Sequence, residues 1–138
     1  MRIEKLKPED WRYLAEDVHK VVFEERKPMS LDRIDYALLV VDEKPQAYVT
    51  VREIDSESAY FQYGGAFPET KGTAASYECW KTVLGWAQEH YKRINFLVEN
   101  DNKPMLRMAM SADFKIIGLR NFKGSVLLEH LLEFEGDE

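Results

Sequence analysis

Between Tyr60 and Tyr91 the chain reads YFQYGGAFPETKGTAASYECWKTVLGWAQEHY, a stretch able to hold an anion. An aromatic, strand-like segment runs into Gly64-Gly65, Pro68 and Gly72 bracket a polar turn, and a long amphipathic helix follows. A strand that turns through glycine into a helix N-terminus presents backbone N–H groups without intrahelical acceptors at the positive end of the helix dipole. Such a corner binds phosphate, and it also serves as an ordinary strand-to-helix turn. Neither G-x-x-x-x-G-K-S/T nor a helix-opening G-x-G-x-x-G is present, which removes the P-loop and the dinucleotide fingerprint. The other reactive side chains offer less. Cys79 is the single cysteine, so no internal disulfide forms, and without a matched His and acid it reads as a packed thiol. His19, His90 and His130 show no metal-ligand spacing, so no metal is expected.

The elements that must position this corner follow from periodicity. Met1 to Leu6 alternates as a short strand does, and Lys7-Pro8-Glu9-Asp10 opens a helix whose Trp11, Leu14, Ala15, Val18, Val21 and Val22 share one face. A second short helix is predicted around Leu31 to Ile34. Tyr36 to Val41, Ala47 to Ile54 and Ala59 to Tyr63 are β-prone runs joined by polar turns, which predicts an antiparallel meander. Gly64-Gly65 is predicted as a bulge or a bend. The helix from about Thr73 to Tyr91 places Tyr77, Trp80, Leu84, Ala87 and Tyr91 on one face, and Arg93 to Val98 returns as a strand parallel to Ala59 to Tyr63. Asn102 can cap the next helix, with Pro104 in its first turn and Met105, Leu106, Met108, Ala109 and Ala112 on its apolar side. Lys115 to Leu119 and Val126 to Phe134 form a hairpin across Asn121-Phe122-Lys123-Gly124, and residues 135–138 form a frayed acidic tail.

With 138 residues the chain is read as one domain, 1–138. A formal net charge of -6 argues against broad nucleic-acid binding, which needs a basic stripe. No run of 18 apolar residues and no apolar segment after the charged N-terminus point to a membrane, so a cytoplasmic protein is expected.

Two motifs in this order carry a resemblance. Glu69-Thr70-Lys71-Gly72-Thr73-Ala74 resembles a pyrophosphate loop of pattern Gln/Arg-x-x-Gly-x-Gly/Ala, with Ala66-Phe67-Pro68 where Val-x-Pro usually stands. From Val98 the chain reads VENDNKPMLRMAMSADF, which resembles a strand ending in Val-x-x-x-Asn, then a helix, then Gly-Phe twelve residues after the Asn; Asn102 and Phe114 hold that register. Both are motifs of the GCN5-related N-acetyltransferase (GNAT) superfamily, and the element order extends the resemblance over nearly the whole chain. It implies an α/β (α+β) fold with a mixed, mostly antiparallel sheet of six to seven strands and about four helices. It further implies acetyl-CoA as cosubstrate, with its pyrophosphate on the N–H groups of Thr70, Lys71, Gly72, Thr73 and Ala74. The N–H of Ala66 or Phe67 would face the thioester carbonyl, and Asn102 would contact the pantetheine arm or the acceptor.

Several residues depart from the family's pattern. Glu69 replaces Gln/Arg, Asp113 replaces the Gly before Phe114, and Ala109 stands where many members carry a Tyr that protonates the leaving thiolate. Glu99 is the candidate base and Tyr63 the candidate proton donor, each with a structural role as the alternative. Two readings follow: an N-acyltransferase acting on an unidentified amine, possible as a homodimer, or a GNAT-fold binding or assembly protein, such as phages encode, that has lost efficient transfer.

Overall fold

The run Tyr36–Asp42 is buried at every position but its last, as an apolar segment must be when both faces of its strand are covered. The computed structural model describes residues 1–7, 34–67, 69, 70, 72–122 and 124–134, without the side chains of Gln62, Tyr63, Glu99 and Phe122. Its elements are β1 (Arg2–Leu6), β2 (Tyr36–Asp42), β3 (Lys44–Glu53), β4 (Ser58–Ala66), α1 (Ala74–His90), β5 (Arg93–Glu99), α2 (Lys103–Ser111), β6 (Lys115–Phe122) and β7 (Ser125–Glu133). They build one seven-stranded sheet in the order β1-β2-β3-β4-β5-β7-β6. Every pairing is antiparallel except that of β4 with β5, which α1 connects as a crossover. The sheet and the class are those expected. The helices predicted from Pro8 and around Leu31, like the acidic tail, lie outside the described residues.

On one face Leu38, Val40, Val49, Val51, Phe61, Ile94, Phe96 and Val98 pack with Cys79, Val83 and Ala87 of α1. On the other, Ala37, Leu39, Val41 and Tyr48 form a second buried cluster. The buried stripe of α1 is therefore centred on residues 79, 83 and 87, four apart, and Tyr77, predicted to be part of it, is 43% exposed. Trp80 flanks the stripe and stacks on Phe114 and, edge-on, against Phe96.

One strand start, one turn and one bulge differ from expectation. β3 starts at Lys44, so Pro45 falls within the strand opposite Val41, at an end that β4 does not reach. The hairpin turn is tighter, since Phe122 already pairs with Ser125 and Gly124 takes the left-handed conformation at φ 83°. Gly64-Gly65 is not a bulge: both residues stay in register, opposite Val49 and Tyr48. The bulge sits two residues earlier, where Phe61 faces Val51, Tyr63 faces Thr50, and Gln62 is the extra residue. Gly64 answers to space instead, because a Cβ there would meet Val49 Cγ2 at 3.2 Å and the Tyr48 carbonyl at 3.3 Å.

Candidate active site

β4 and β5 pair from Ser58 and Arg93 as far as Phe61 and Phe96, and there they part. β4 continues along β3 to Ala66 while β5 continues along β7 to Glu99. The Gln62 bulge falls at the point of parting, where it bends β4 away. The gap opens into a cavity of about 680 Å³. Ser76, Cys79 and Trp80 of α1 and Met105 and Met108 of α2 line it from one side of the sheet; Tyr60, Leu97, Arg120 and Leu127 line it from the other. The slot therefore passes through the sheet. Cys79 is buried beside it, and burial pushes its thiol above the ordinary range, which keeps it protonated and a poor nucleophile.

The loop from Phe67 to Thr73 joins β4 to α1, between Ala66 and Ser76, both of which line the cavity. Gly72 has φ 77°, a conformation that a Cβ would strain although nothing would touch it. Of the amides expected to meet a pyrophosphate, two are already used in folding the loop: Thr70 N–H donates to Phe67 O at 2.9 Å and Thr73 N–H to Thr70 O at 3.1 Å. The Thr73 hydroxyl also donates to Thr70 O, at 2.5 Å, so Thr73 occupies the N-cap position without a side-chain bond into the helix. In the first turn of α1 the Ser76 N–H also donates inward, to Thr73 O at 3.1 Å, which leaves the amides of Ala74 and Ala75, without an intrahelical acceptor by position, for a ligand. Pro68 and Lys71 lie outside the described residues. Gln46 of β3 ties the loop down: its carbonyl accepts from Phe67 N–H at 2.9 Å, and its side-chain oxygen accepts from the buried Thr70 hydroxyl at 2.7 Å. Sequence reasoning passed over Gln46, since nothing local marks a partner 24 residues away. Glu69, the acid that would oppose a phosphate, is bonded to Lys44, whose ammonium holds its carboxyl below the usual range.

The same ladder decides which amides point into the gap. Because Phe67 N–H is bound to Gln46 O, it is unavailable to a thioester, contrary to one of the two options read from the sequence. Alternation along an antiparallel pair then turns the N–H groups of Ala66 and Gly64 away from β3, toward the space β5 has left. Tyr63 lies on β4 opposite Thr50 and Glu99 ends β5 opposite Leu127, one on each of the parted strands. Asn102 lines the cavity and caps α2, its Oδ1 accepting from Met105 N–H at 3.4 Å, which leaves its carboxamide N–H groups to a ligand. Trp80 Nε1 is shielded from solvent and has no partner among the described residues.

The other departures have structural explanations. Asp113 sits just past α2 at φ 64°; its N–H donates to Met110 O and that of Phe114 to Ala109 O, the paired bonds of a left-handed helix stop. A glycine would serve there for backbone reasons alone. Ala109 is fully buried and its side chain does not reach the cavity, so no proton donor is available from that position.

No protein-family model matches the chain, and no curated protein does. Solved structures match it closely in shape. The ribosomal-protein-S18-alanine N-acetyltransferase from Escherichia coli superposes with a TM-score of 0.77 at 10% identity, over 99% of this chain and 96% of that one. The fold is that of the GNAT acetyltransferases. A GNAT family acetyltransferase from Elizabethkingia anophelis, solved with acetyl-CoA bound, gives 0.68 at 13% identity over 86% of this chain and 90% of that one. The spermidine/spermine N-acetyltransferase from Vibrio cholerae gives 0.70 at 15% identity, over 96% and 91%. At such identities the likeness is one of fold. Within this GNAT fold the described residues hold no group of three or more His, Cys, Asp or Glu placed to bind a metal ion, and no helix long and apolar enough to cross a membrane.

Proposed function

We propose that the chain is an N-acyltransferase that moves an acetyl group from acetyl-CoA to a primary amine by direct transfer. The observation that carries this is the parting of β4 and β5 into a through-sheet slot beside the N-terminus of α1. The first-turn amides and Gly72 would take the pyrophosphate, with Lys71 as the nearby cation and Thr70 and Thr73 shaping the loop. The pantetheine arm would run inward past Asn102 and Trp80. The amine nitrogen attacks the thioester carbon, the Ala66 N–H stabilises the oxyanion, the C–N bond forms and the C–S bond breaks. The ammonium proton leaves to Glu99, directly or through water, and the thiolate is protonated by Tyr63.

The alternative, a GNAT-fold binding protein without transfer, now rests on Ala109 alone, since Asp113 ends a helix and Glu69 is paired with Lys44. Isothermal titration with acetyl-CoA and desulfo-CoA tests the proposal. Micromolar binding is expected, lost in Gly72→Glu and weakened only moderately in Gly72→Ala, which adds backbone strain but no charge. Absence of heat at millimolar cofactor sinks it. The reading includes a cytoplasmic protein. It also includes a homodimer through the edge strand β6, where Ile117 and Leu119 are 50% and 68% exposed; sedimentation should show a dimer that Leu119→Lys dissociates, and a monomeric wild type removes that part.

A further inference from the structure

The chain carries 19 basic and 25 acidic residues, and among the described residues lining the cavity the one charged side chain is a cation, Arg120. It lies on β6 opposite Leu127, on the side of the sheet away from α1. The cofactor's phosphates belong, on the reading above, at the α1 N-terminus on the helix side. Arg120 therefore stands on the side from which an acceptor reaches the thioester. Glu129 is the acid facing it, at 3.6 Å; Arg120 is 61% exposed, so that contact is long and solvent-screened and occupies little of a guanidinium fork with five donors. Glu99 ends β5 opposite the same Leu127, so the proposed base and the cation stand two strand spacings apart, roughly 10 Å between Cα atoms, with an apolar residue between them.

We infer that the acceptor is an amine that also carries an oxyanion, a carboxylate or a phosphate, beside an apolar body. Arg120 binds the anion through its fork, Leu97 and Leu127 cover the body, and the amine is left at the gap between β4 and β5. A polyamine carries no anion for Arg120 and so gains nothing from this contact. This inference deepens the acyltransferase reading and rests on it.

The test compares L-leucine, leucinamide, aminoethyl phosphate and spermidine as acceptors with acetyl-CoA, in wild type, Arg120→Gln and Arg120→Lys. Leucine or aminoethyl phosphate should exceed leucinamide at least tenfold in kcat/KM, and whichever of the two leads identifies the oxyanion. Arg120→Gln should erase that preference through KM, Arg120→Lys should restore part of it, and the acetyl-CoA Kd should stay within twofold throughout. Leucinamide or spermidine used as well as the anionic amines, or an unchanged preference in Arg120→Gln, overturns the inference while leaving transferase activity standing. If acetyl-CoA does not bind, the function itself fails. Titration of leucine and aminoethyl phosphate into the protein then reads the anion site alone, and binding indifferent to Arg120→Gln overturns it.

Discussion

Asp113 holds a left-handed backbone at φ 64° where glycine has no steric cost. Asp113→Gly should therefore stabilise the fold by about 0.5–1 kcal/mol, offset in part by the added freedom of the unfolded chain. Urea denaturation reads the gain, and acetyl-CoA affinity should not change, because the residue ends a helix rather than touching a ligand. Thr70 predicts the opposite pairing of effects. Its buried hydroxyl donates to Gln46, so Thr70→Val removes that bond and leaves the Gln46 oxygen without its donor, a loss of about 1–2 kcal/mol. The loop it tethers should then bind acetyl-CoA several-fold more weakly; a Kd equal to wild type would show that the tether does not shape the site. At this scale Gly72 and Asn102 were legible because their demands are local, a turn glycine and a helix cap, and Phe114 because it holds the register of the resembled motif. Gln46 and Arg120 were not, because each matters through strands far away in sequence.

The parting of β4 and β5 is a property of two elements, and one glycine guards it. Gly64 lines the cavity, and a Cβ there already lies at 3.2 Å from Val49 Cγ2. Gly64→Val should destabilise by about 1–3 kcal/mol through overpacking. It should also intrude on the slot, weakening acetyl-CoA at least fivefold under conditions where calorimetry shows the protein folded. Retained affinity would place the cofactor elsewhere. The sequence made the meander, the crossover helix and the parallel return visible, since each has its own period and its own turn residues. It misplaced the bulge because the glycine pair drew the assignment, whereas a bulge asks for an extra residue and no particular type, and Gln62 supplies it. It rotated the buried stripe of α1 for a related reason. The large residues Tyr77, Trp80, Leu84 and Tyr91 outweighed the smaller Cys79 and Val83, which are the ones the sheet covers.

Across the whole molecule the sheet divides its labour between two ends. The slot, the loop and α2 gather at the end where β4 and β5 finish, while Tyr36, Tyr91 and Glu53 meet at the opposite end. There the two tyrosine hydroxyls are bonded to each other and Tyr91 donates to Glu53 Oε1 at 2.7 Å, with Trp86 packed against both rings. Because the Tyr91 proton goes to Glu53, the Tyr36 hydroxyl donates to the Tyr91 oxygen. Burial pushes Tyr36 up to about 12, and burial together with these bonds pushes Tyr91 up as well. Both groups are acids whose neutral form the fold prefers, so the folded state holds their protons more tightly than the unfolded chain, where tyrosine titrates near 10. Their contribution is complete below about pH 10 and is lost as the pH rises through 10 toward 12, on the order of 2 kcal/mol for Tyr36. Stability by urea denaturation should thus hold level from pH 8 to 10 and fall between 10 and 12. Tyr91→Phe should cost about 1 kcal/mol at pH 8 and make the later fall shallower, with acetyl-CoA affinity at pH 8 unchanged. A wild type as stable at pH 12 as at pH 9 would mean that these hydroxyls are not held as a buried chain, and a Tyr91→Phe variant that loses cofactor would mean that the two ends of the sheet are coupled after all.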